Sequence, residues 1–106
     1  MLPRTMAELS VLGSCLIDRD AMPLCAALTV EMFEREQYQR MFRAMRGLHA
    51  RSVPIDVITV SEEMKRAGEF DLSDLEWMAE ILDAVPTAVN VAAHAEIVAR
   101  YAEGPA

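Results

Sequence analysis

The chain has 106 residues, a hydrophobic fraction of 53% and a net charge of −7. That is one domain's worth of polypeptide, too apolar for a disordered segment and large enough to bury a single core. The charge is lopsided: residues 1–54 carry seven Arg against six acids, net +1, whereas residues 55–106 carry three bases against eleven acids, net −8. Such a half repels a phosphate backbone, so tight nucleic-acid binding by this domain alone is not expected. No apolar run reaches the roughly 18 residues of a membrane span, and no signal-peptide pattern opens the chain, so a membrane role is not expected. Cys15 and Cys25 lack C-x-x-C spacing and read as buried free thiols of a cytoplasmic protein.

Helical periodicity dominates, and no sustained period-2 alternation competes with it. Thr5 and Glu8 form a T-x-x-E pattern, which predicts a capped first helix over 6–17 that buries Leu9, Leu12 and Leu16. Gly13 within it costs about 1 kcal/mol relative to Ala, so another helix is expected to approach closely there. A short helix follows from Asp20, with Pro23 tolerated in its first turn.

In the third helix Tyr38, Met41, Phe42, Met45, Leu48 and His49 recur at helical spacing and predict one buried stripe. Arg40, Arg43 and Arg46 fall on the other side, with Glu36 four residues before Arg40 as an ion-pair partner. This arginine row is either a solvated face or a partner-docking surface for acidic groups, a second copy's acidic half among them.

Pro54 ends the connection and Asp56 is placed to cap a fourth helix carrying Ile58, Val60, Ser61, Met64 and Ala67. Gly68, after Lys65 and Arg66, is suited to a left-handed stop. Ser73 and Glu76 predict a capped fifth helix that buries Leu75, Met78, Ile81 and Leu82 and is ended by Pro86. Asn90 is placed to cap a sixth helix with an inner stripe of Val91, His94, Ala95, Val98 and Tyr101, before Gly104 and Pro105. The expected fold is all-α, a compact six-helix bundle over residues 1–103 with a 104–106 tail.

Catalytic groups do not converge in the sequence. His49 and His94 lie on apolar stripes far apart and read as core or boundary histidines. Glu31 with Glu34, and Glu62 with Glu63, lack the paired E-x-x-E or E-x-x-H pattern of helical metal sites. There is no phosphate-binding G-x-x-x-x-G-K-[ST] loop, no G-x-S-x-G elbow and no H-E-x-x-H. The chain is therefore expected to be non-catalytic, with no cofactor and no metal. The methionines Met41, Met45, Met64 and Met78 occupy core-type positions.

The order and spacing of several segments carry a resemblance. Glu8 is followed by S-V-L-G at 10–13, and Phe33 precedes the helix with Met41, Phe42 and Ala44. P-I-D at 54–56 follows, then Trp77, Met78, Glu80, P-T-A-V-N at 86–90, Ala95, Ile97 and Val98. In that order they resemble the N-terminal domain of DnaB-type replicative helicases. The resemblance implies a six-helix head that pairs with its neighbours, as a dimer or as a collar of three dimers above a motor ring, and contacts primase or a helicase loader. It also implies that ATP and magnesium belong to the motor of a parent 5′–3′ DNA helicase. Leu72, Leu75 and Trp77 are the candidate self-association residues, with ordinary core as the alternative; Leu72 to Leu75 fill a loop before the fifth helix that lacks the family's usual Gly-Gly and is about one residue shorter. Tyr38 stands where the family usually has His, and Met32 where it usually has Asp. In the family a helical hairpin follows this head and supplies much of the primase surface, so primase binding by this chain alone is expected to be weak. The alternative is a free-standing helical adaptor that regulates a helicase or another replication protein.

Overall fold

Proline and aspartate decide where three of the six helices begin. In the computed structural model, which describes residues 2–85 and 87–104, α1 runs Pro3–Ile17, α2 Ala21–Leu24, α3 Glu36–Ala50, α4 Val57–Arg66, α5 Leu72–Ala84 and α6 Val91–Ala102, with a 3₁₀ turn at Val30–Met32 before α3. Among the described residues there is no strand, and the all-α expectation holds.

α1 starts three residues earlier than its T-x-x-E pattern predicts. Pro3 occupies the first turn, where a missing N–H is harmless, and the cap position, Leu2, makes no side-chain bond. Glu8 is not a capping residue. Its fully buried carboxylate accepts from Arg4 Nε at 2.9 Å and from the backbone N–H of Glu34 at 2.8 Å. Arg4 also donates to the Met32 carbonyl at 3.2 Å, so one ion pair ties the segment before α3 to the start of α1. Gly13 behaves as expected: a Cβ there would lie 2.7 Å from Val85 Cβ and 2.9 Å from Ile81 Cγ2, which is how closely α5 crosses α1.

α3 is the central apolar element. Tyr38, Met41, Phe42, Ala44, Met45 and Leu48 are buried, and the Phe42 ring meets Phe33 at 4.6 Å between centroids. His49 is exposed, contrary to the stripe reading; it lies in the last turn of the helix, which is capped at Arg51. That cap places Ser52 at φ +58, with Val53 N–H bonded to the Leu48 carbonyl and Ser52 N–H to that of His49. The same pair of bonds closes α4, where Gly68 at φ +72 fills the left-handed position and Glu69 N–H reaches the Met64 carbonyl.

Asp56 caps α4 reciprocally with Thr59, at 2.8 and 2.9 Å. Val60 and Met64 are buried, but Ile58 is 79% exposed and Ala67 is exposed, so the α4 stripe is narrower than its sequence suggests. α5 is capped by Asp71 with Asp74, not by Ser73 with Glu76: Ser73 N–H donates to Asp71 at 2.9 Å and Asp71 N–H to Asp74 at 2.9 Å. Leu72 to Leu75 thus form the first helical turn rather than a loop. In α6, Asn90 sits at the cap position without a side-chain cap bond. Val91, Ala95 and Val98 are buried, whereas Tyr101 is exposed. The helix stops expected at Pro86 and Pro105 lie outside the described residues.

α6 packs along α1, which also contacts α5, and α3 packs on α4; the molecule measures 38 × 25 × 24 Å. Cys15 and Cys25 are free, buried and brought together by the fold. The hydrogen bond between the thiols, then burial, pushes Cys15 well above the ordinary thiol range, which suits an inert core group.

Candidate docking surface

Two of the arginines expected to dock an acidic partner are engaged within the chain. Arg40 forks onto Asp74, Nη1 to Oδ2 at 3.0 Å and Nη2 to Oδ1 at 3.2 Å, and also donates to the Glu69 carbonyl. Gln37 Nε2 adds a bond to Asp74 at 2.9 Å. Arg43 pairs with Glu69 at 2.9 Å, while Arg46 turns toward the Leu28 carbonyl at 3.5 Å. Glu36, the expected local partner of Arg40, is displaced by the buried Asp74, whose two oxygens match the planar guanidinium.

Burial pushes the Asp74 carboxyl up, but hydrogen bonds from Gln37 and Arg40 outweigh it and leave the group below its ordinary range. Asp71 is likewise held low, first by the Ser73 backbone N–H. Both groups are therefore ionised near neutrality, and the first turn of α5 is clamped against α3 by charge-assisted bonds. An aromatic stack completes the clamp: Tyr38 and Trp77 lie parallel with centroids 4.8 Å apart, and the Arg35 guanidinium sits 5.7 Å from the Tyr38 ring centre.

This clamp fixes the rotation of α5. Met78, Ile81 and Val85 face the core, Trp77 is half-buried in its stack, and the remaining apolar residues are left outside. Leu72 is 75% exposed and Leu75 42% exposed. Ala79 is exposed and Leu82 half-buried, so residues 72, 75, 79 and 82 form a second apolar stripe at helical spacing. Of the three candidate self-association residues, two are thus open to a partner and Trp77 is spent largely on Tyr38. Sequence periodicity did not separate the two stripes, because both satisfy the same 3.6-residue rule. The charge partner that orients them lies on another helix.

A concavity of about 660 Å³ lies where α1, α6 and the end of α5 meet; Met6, Leu9, Val85 and Ile97 line it. Ser10 Oγ is hydrogen-bonded to His94 Nδ1 there, tying α1 to α6. Among the described residues no carboxylate hydrogen-bonds to His94, and no group of three or more His, Cys, Asp or Glu is placed to hold a metal ion. No helix of the described residues is long and apolar enough to cross a membrane.

Residues 2–100 match the family model of the DnaB-like helicase N-terminal domain. The chain is 38% identical over 94 residues to the replicative DNA helicase DnaB of Rhodothermus marinus, covering 87% of this chain and 10% of that protein. It is 36% identical over 94 residues to that of Geobacillus stearothermophilus, again covering 87% of this chain but 21% of the relative. The chain therefore spans about a tenth to a fifth of the curated relatives it matches. The crystal structure of the N-terminal domain of DnaB helicase from Mycobacterium tuberculosis superposes with a TM-score of 0.85 at 34% identity, covering 91% of this chain and 70% of that one. In replicative helicases this N-terminal domain is non-catalytic and the motor lies elsewhere in the protein. A shared fold and a match across nearly the whole length place this chain in the family of DnaB-like helicase N-terminal domains.

Proposed function

We propose that the chain works as the non-catalytic head of a cytoplasmic replicative DNA helicase, associating with further copies of itself and docking a primase or helicase loader. ATP and magnesium chemistry belongs to the motor of the longer protein. The observation that carries the docking half of this reading is the α5 clamp; the self-association half is supported by the family match. Asp74, Arg40 and the Tyr38–Trp77 stack hold the helix in a rotation that leaves Leu72 and Leu75 exposed, in a family whose N-terminal domain does no chemistry. Exposed leucines on a rigidly held helix suit a contact surface, because little conformational freedom remains to be lost on binding.

Sedimentation equilibrium between 10 and 200 µM, on the order of the micromolar affinity that a small apolar contact supports, tests the self-association half. A mean mass rising above the monomer's 11.8 kDa is expected. A strict monomer throughout removes it.

A further inference from the structure

α5 carries Asp74, Glu76, Glu80 and Asp83 and no basic residue. Asp74 is consumed by Arg40, but among the described residues none of the other three forms a salt bridge. Glu76 and Glu80 stand four apart as like charges on one helix, and Asp83 lies in the last turn, where the helix dipole opposes an anion. The three carboxylates also run as a line beside the apolar stripe of Leu72, Leu75, Ala79 and Leu82, so one edge of an open leucine face is acidic along its length.

We propose that this face receives a basic amphipathic helix from another protein, its apolar side on the leucine stripe and its Lys or Arg residues against Glu76, Glu80 and Asp83. The proposal rests on the docking reading above and specifies the partner's chemistry. The α5 helix of a second copy is a poor occupant, since antiparallel packing of two identical helices sets like flank against like flank and would bring the acidic edges together. Arg40 and Arg43 of a second copy do not serve either, because they are already paired with Asp74 and Glu69. From 72 to 82 the stripe spans about 15 Å, the length of a docked helix of two to three turns.

Two synthetic 18-residue helical peptides, with one leucine stripe in common and flanked by Lys in one and Glu in the other, test this when titrated into the isotope-labelled chain. The Lys peptide is expected to shift amide signals along 72–83 and to bind at least tenfold more tightly than the Glu peptide. The E76Q/E80Q/D83N variant, which alters only exposed side chains, should lose about tenfold in affinity and most of the salt dependence. The L72S/L75S variant should lose at least as much. Equal binding of both peptides, or shifts confined to another face, overturns the proposal. Sedimentation of the same variants separates it from the docking reading: if E76Q/E80Q/D83N self-associates more strongly and L72S/L75S not at all, the face joins copies, and the basic partner is excluded while the docking role stands. If neither peptide nor a second copy touches α5, both readings fall.

Discussion

Ser52 and Gly68 hold the same position at the ends of two helices, and only one of them is a glycine. A side chain at φ near +60° costs about 1 kcal/mol, which the cap bonds of α3 must offset. Ser52→Gly is therefore expected to stabilise the chain by about 0.5–1 kcal/mol, measured as a higher urea midpoint with an unchanged slope. Gly13 calls for the opposite. Ala there gains up to about 1 kcal/mol of helix propensity but drives a methyl into Val85 and Ile81, so Gly13→Ala should lower stability by about 2 kcal/mol in the same measurement. The approach at Gly13, the Gly68 stop and the Asp56 cap were legible in the sequence because their causes are local or leave a local signature. Glu8 was misread for the converse reason. Thr5 and Glu8 carry the right spacing for a cap, yet a buried bond to the Glu34 backbone, 26 residues away, decides where the carboxylate goes.

The elements were legible in number and order but less so in rotation. Each helix declares itself by period, caps and breakers, whereas α5 has two apolar stripes. Which one is buried depends on Arg40 reaching Asp74 from α3. Because the Asp74 carboxyl titrates lower in the fold than in the unfolded chain, its contribution is full above about pH 4 and fades as the pH falls below that value. Asp74→Asn should therefore cost about 3 kcal/mol at pH 7, through an Arg40 left without its counter-charge, and much less near pH 2.5. Equal penalties at both pH values in urea melts would show that the pair does not orient α5. The acidic edge of the same helix predicts a gain: Glu80→Gln with Asp83→Asn should raise stability by about 0.5 kcal/mol, read as a thermal midpoint a few degrees higher.

At the scale of the whole molecule, composition, charge asymmetry and segment order were enough to point to an all-α head without chemistry of its own. What they could not supply was the surface. Leu75 was read both as core and as a contact, and Leu72 as a loop residue, because exposure depends on how α5 is clamped rather than on any pattern in residues 72–84. The docking statements above require Leu72 and Leu75 to be free for a partner instead of spent on the interior. Thermal unfolding of L72S/L75S beside Met78→Ser tests this directly. The double variant should unfold within about 5 °C of the parent chain, as exposed substitutions do, while loss of the buried Met78 side chain should lower the midpoint by about 15 °C. A fall of similar size in both would place the leucines in the core and leave the domain without its docking face.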